Sequence, residues 1–76
     1  MKFYYCKQVK SIYKVIGINS YNTKLMKCEI LVSLNSKVVW TTACPRTRDE
    51  IKSGFVFLGS DLSDTKIKTI MKLNKI

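Results

Sequence analysis

The sequence predicts one small α+β domain over residues 1-76: an antiparallel β-meander of four or five strands, a short helix near 47-53 and an amphipathic C-terminal helix near 63-74. Three observations predict it. Residues 24 to 34 alternate apolar and polar side chains at the period of a half-buried strand. Thr47-Arg48-Asp49-Glu50 has the Thr-x-x-Glu spacing of a helix capping box. The last residues place Ile67, Ile70, Met71 and Leu73 on one helical side and Lys68, Lys72 and Lys75 opposite. With 76 residues there is one core, because so short a chain buries only about 60% of its unfolded surface. Apolar residues at 46% and charged ones at 25% match a globular rather than a disordered chain.

The N-terminal third admits two readings. Val9, Ile12, Tyr13 and Ile16 fit helical spacing with Gly17 as a stop, so residues 8 to 16 could be a helix. The density of Ile, Val and Tyr, and the turn formers Asn19-Ser20-Tyr21-Asn22, favour strands at about 2 to 7 and 10 to 18. Met26, Cys28, Ile30, Val32 and Leu34 then share one face of the next strand, with Lys27, Glu29 and Ser33 on the other.

Val38 to Cys44 is rich in β-branched residues and forms a hairpin with that strand. A three-residue loop, Asn35-Ser36-Lys37, pairs Val32 with Trp40 and Cys28 with Cys44; a two-residue loop would oppose Glu29 to Thr42. The three-residue loop is expected, and in an oxidising setting it would allow a Cys28–Cys44 cross-link. Pro45 ends the strand, Gly54 stops the short helix, and Phe55-Val56-Phe57-Leu58 is a buried strand between glycines. Ser60 to Ser63 offer caps for the last helix.

Val9-x-Ser11-Ile12, Ile16-Gly17, Trp40, Pro45 and Gly54-Phe55 fall in an order that resembles the small KTSC domain over about residues 9 to 58. The resemblance implies a β-meander followed by a helix, in a family linked to nucleic-acid binding. The chain departs from the pattern in lacking a paired serine before Ile12 and an aromatic-x-aromatic strand, and no functional residue is carried over.

Charge is the compositional outlier, at +9 from 12 Lys, 2 Arg and 5 acids. That sign selects phosphate backbones, acidic membrane surfaces or acidic proteins as partners. Lysine is a mobile point charge and arginine a preorganised fork, so their ratio points to contacts of limited sequence specificity. The charge is uneven: +6 over residues 1 to 27, +2 over 28 to 48, −3 over 49 to 65 and +4 over 66 to 76. No uncharged stretch nears the roughly 18 residues of a membrane span, and the apolar run Phe3-Tyr4-Tyr5-Cys6 stops at Lys7. A cytoplasmic protein is expected. The bias to Lys, Ile and Asn, with Ala43 the sole alanine, is that of an AT-rich genome such as those of many phages and viruses, where the site would be the host cytoplasm.

The chain contains no histidine, which removes the usual general base and the commonest transition-metal ligand. Cys6, Cys28 and Cys44 are one ligand short of a tetrahedral zinc site and have no Cys-x-x-Cys spacing. Arg46 and Arg48 follow Cys44 near a helix start, which would lower a thiol pKa, but no base accompanies it; a buried, reduced structural thiol is expected. Asp49, Glu50, Asp61 and Asp64 read as helix-start charges. No enzyme activity, cofactor or metal is expected.

Lysines interleave with aromatics as in single-strand binders, which stack bases on rings while cations follow the backbone. Phe3, Tyr5, Trp40, Phe55 and Phe57 are expected in the core and Tyr4, Tyr13 and Tyr21 at the surface. The candidate contacts are Lys2, Lys7, Lys10, Tyr13, Lys14, Tyr21, Lys24, Arg46, Arg48, Lys68, Lys72 and Lys75. The expected partner is DNA or RNA through its phosphate backbone. The alternative is an acidic host protein or defence complex, which a phage- or virus-type inhibitor would block, with Arg46 and Arg48 as hot spots. A membrane role is not expected, since the last helix lacks aromatic anchors.

Overall fold

The computed structural model describes residues 1–34 and 37–73. The chain runs β1 (Lys2–Cys6), β2 (Ser11–Ile18), β3 (Leu25–Leu34), β4 (Lys37–Thr42), β5 (Arg46–Thr47), α1 (Arg48–Gly54), β6 (Phe55–Ser60) and α2 (Asp64–Leu73). The expected α+β architecture is therefore present, with residues 11 to 18 as strand. The sheet is antiparallel, in the order β4-β3-β2-β1-β6, and β5 pairs with β3 beside the end of β4. The β2–β3 turn is built on Asn19, whose Oδ1 accepts from the N–H groups of Tyr21 and Asn22 at 2.8 and 3.0 Å.

Both faces of the sheet are covered, each by one helix. On the α1 face, Cys6, Tyr13, Val15 and Cys28 pack with Ile51. On the α2 face, Phe3, Ile12 and Leu31 pack with Ile67, with Trp40, Leu58, Ile70 and Met71 partly buried around them. Alternate residues of β1 and β2 thus feed different cores, which the strand period of 2 requires.

Two-sided burial corrects the hairpin register. Leu31 lies opposite Trp40, Glu29 opposite Thr42 and Ser33 opposite Val38, so the expected three-residue loop is wrong by one residue. Leu31, on the face taken to be polar, is buried against α2, and burying it pulls Trp40 to that same face. Lys37 belongs to β4 rather than to the loop; Asn35 and Ser36 lie outside the described residues. Cys28 is not opposite Cys44: the Ala43 N–H donates to the Cys28 carbonyl at 3.1 Å, and all three cysteines are free. Cys44, expected to be buried, is exposed beyond the end of β4.

The capping box at α1 is complete. The Glu50 N–H donates to Thr47 Oγ1 at 3.1 Å, and the Thr47 N–H donates to Glu50 Oε1 at 3.0 Å. At α2, Ser63 is the cap, accepting at Oγ from the Lys66 N–H at 3.3 Å. Asp61 is no cap: at φ 52 it turns to the Met1 ammonium, 2.9 Å away. Leu73, expected on the apolar side of α2, is 77% exposed, since its position on the helical wheel lies nearer Lys66 than Ile67.

Candidate functional site

The length of α1 leaves the site open. From β5, which pairs with the outer side of β3, the chain must cross β3, β2 and β1 to reach β6, four strand spacings or about 19 Å. Seven residues of helix span only about 10 Å and cover one part of that face. Beside α1 remains a groove of about 380 Å³ lined by Lys2, Tyr4, Val15, Met26, Arg48, Ile51, Lys52, Phe55 and Phe57.

Its floor is aromatic. Tyr4 and Phe57 are cross-strand partners with ring centroids 5.4 Å apart at 60°, and Tyr4 meets Phe55 at 6.3 Å. Phe55 in turn stands edge-on to buried Tyr13 at 4.9 Å, which anchors the cluster to the core. Phe57, expected in the core, is 55% exposed, because β6 is an edge strand and α1 does not extend over it. Three cations, Lys2, Arg48 and Lys52, join these rings in the lining, which among the described residues contains no carboxylate. Arg48 also lines a second depression with Thr23, Lys24, Thr47 and Asp49, so the cationic path continues toward Lys24.

The expected contact residues divide among several places. Lys2, Lys24 and Arg48 line these two depressions. Lys7 and Lys10 are exposed in the β1–β2 turn, Lys10 at φ 53, and Tyr21 is 98% exposed in the β2–β3 turn. Lys68 and Lys72 are exposed on α2, which packs on the opposite face, so the sheet separates the two basic ends of the chain. Lys75 lies outside the described residues.

Two of the expected contacts are corrected. Tyr13 is only 4% exposed, since in a strand reading its side chain points into the α1-face core. Lys14 points to the other face, where Nζ lies 3.3 Å from Glu29 Oε1 and 4.5 Å from the Trp40 ring centroid. Arg46 is partly engaged as well, 3.6 Å from Glu50. The neighbouring Tyr13 side chain, and then the charge of Glu50, hold its pKa above the ordinary guanidinium value. Tyr4 is half-buried rather than at the surface.

Lys52, Phe55 and Phe57 line the groove and were not among the expected contacts. Their signal was the alternation of β6 itself: Phe55 and Phe57 share a face at i, i+2, and Gly54 marks the end of a helix too short to cover both. Among the described residues, no group of three His, Cys, Asp or Glu side chains converges to hold a metal. No helix of the described residues is long and apolar enough to cross a membrane.

No family model matches the chain, and no curated protein or solved structure is similar to it. The likeness to the KTSC domain rests on the quoted residues alone.

Proposed function

We propose that this chain is a non-enzymatic binding domain for single-stranded nucleic acid, with limited sequence specificity, and that the α1-face groove is its contact surface. The observation that carries the reading is the exposed Phe57 ring beside Tyr4, in a groove with three cations and, among the described residues, no carboxylate. Every base has a π-face, so a ring floor accepts bases with little discrimination, while lysines and arginines follow the phosphates. Lys2, Lys52 and Arg48 supply the charge, and Lys24 extends it.

The reading is tested by fluorescence anisotropy with a labelled oligothymidylate. Stacking is worth about 1–3 kcal/mol per base, so Phe57→Ala weakens binding by about 5- to 150-fold. Lys52→Gln reduces the slope of log K against log salt by about 0.7, the share of one phosphate on a single strand. Lys68→Gln, on the far face, leaves affinity unchanged. No binding at low salt, or a flat salt response, excludes the proposal. An acidic protein surface would meet the same cations; a stoichiometric partner retained from lysate after nuclease treatment would favour that alternative.

A further inference from the structure

Taking the groove as the single-strand contact surface, we infer that its ligand is a run of at least about four to six nucleotides, gripped at the far end by Tyr21 and Lys24 of the β2–β3 turn. Arg48 lines the groove and also the second depression, of about 390 Å³, which it shares with Thr23, Lys24, Thr47 and Asp49. Tyr21, in the same turn as Thr23 and Lys24, is 98% exposed. Four further groups brace that turn besides the Asn19 side chain's grip on Tyr21 and Asn22. Asn22 Oδ1 accepts from the Lys24 N–H at 3.0 Å, and the Asn22 carbonyl accepts from the Leu25 N–H at 3.0 Å. The Asn19 N–H donates to the Leu25 carbonyl at 2.9 Å. A ring carried on a braced backbone loses little freedom when a base stacks on it, and every base offers a π-face.

The register of the sheet sets the length. Phe57, Tyr4, Tyr13 and Ile30 pair in one row across β6, β1, β2 and β3. That row spans three strand spacings, about 14 Å, and Leu25 lies about 17 Å further along β3, which places the turn about 22 Å from Phe57. A strand stacked at about 3.4 Å per nucleotide covers this distance with about six, and an extended strand with fewer. A mononucleotide or dinucleotide reaches one end only.

Asp49 gives the far end its own signature. It is the one carboxylate among the described residues lining either depression, and it stands in the second. It therefore repels a phosphate that reaches Lys24 and, through solvent screening over about 10 Å, is nearly indifferent to one confined to the groove.

Competition of oligothymidylates of graded length against a labelled strand, read by fluorescence anisotropy on the intact chain, tests this. Affinity rises with length to about six nucleotides and then flattens. Tyr21→Ala weakens binding of an octathymidylate by about 5- to 150-fold. Lys24→Gln lowers its slope of log K against log salt by about 0.7. Neither variant alters binding of a dithymidylate, whereas Phe57→Ala weakens both. Asp49→Asn tightens the octathymidylate alone. All three far-end positions are exposed, so circular dichroism stays at the parent spectrum. Affinity already flat from the dinucleotide onward, octathymidylate binding unmoved by Tyr21→Ala and Lys24→Gln, or equal weakening of short and long strands by these variants each overturns the inference while leaving the groove as a binding site. Absence of binding at every length overturns the groove reading itself, and the length requirement with it.

Discussion

Lys14 on β2 reaches across β3 to lie 4.5 Å from the centroid of the Trp40 ring on β4, and it holds Glu29 of β3 at 3.3 Å on the way. One cation thus ties three strands together on the α2 face. Both charged side chains are largely shielded, at 16% and 27% exposure, so the contact is screened less than a surface pair. Lys14→Met loses the ring contact and leaves Glu29 unpaired, a cost of about 1 kcal/mol. Urea unfolding followed by Trp40 emission reads this, and the midpoint temperature falls by about 4–8 °C for a domain of this size. Oligonucleotide affinity stays at the parent value.

The α1 cap links stability to pH. The Thr47 backbone N–H and hydroxyl, and then Arg46, hold the Glu50 carboxyl below the ordinary value of 4.5. A depressed carboxyl contributes stability above its unfolded pKa and loses it as the pH falls through the folded value. Thermal unfolding from pH 6 down to about pH 3 therefore shows a decline in stability that Glu50→Gln makes shallower. Thr47→Ala costs about 1 kcal/mol at neutral pH. An unchanged pH profile for Glu50→Gln would show that the carboxylate is not held by the cap.

Gly59 and Gly17 should respond oppositely to alanine. Gly59 sits at φ 149, and a Cβ there would come within 3.0 Å of Leu62 Cδ2. Gly59→Ala strains the backbone and displaces Leu62 from the α2-face cluster, costing about 1–3 kcal/mol. A Cβ at Gly17 meets nothing within 4 Å, so Gly17→Ala is neutral or stabilising by up to about 1 kcal/mol. Paired denaturation curves compare them directly.

Thiol labelling separates the three cysteines. Cys44 is exposed, whereas Cys6 and Cys28 are buried, and burial raises the Cys28 pKa. Brief iodoacetamide treatment of the native protein, read by peptide mass spectrometry, modifies Cys44 alone; in denaturant all three react. Rapid native labelling of Cys28 would contradict the packing on the α1 face.

Local signals in the sequence were legible wherever one interaction decided the outcome. Thr47 and Glu50 announced the cap, Gly54 the end of α1, and the density of Ile, Val and Tyr the strand over residues 11 to 18. What failed were inferences requiring knowledge of how many faces the sheet buries. Leu31 interrupts an otherwise polar face, and treating that face as solvated shifted the hairpin, giving Trp40 the wrong cross-strand partner and Cys44 a buried place it does not have. The same gap explains Tyr13 and Phe57: parity along each strand was readable, but which parity α1 covers depends on a crossover between distant strands. The candidate site was half visible, in Lys2, Lys24 and Arg48, because charge is a property of residues whereas a groove is a property of packing.

The two buried clusters have no member in common, although Phe3, Tyr4, Tyr5 and Cys6 are consecutive in the chain. Tyr4 answers to the groove and Tyr5 to α2, so substitutions at these neighbours fall on opposite sides of a wall one backbone thick. Energetic coupling between them should be small, despite their adjacency in sequence. Substitutions on the α1 face can therefore reshape the groove while the α2-face cluster preserves the fold.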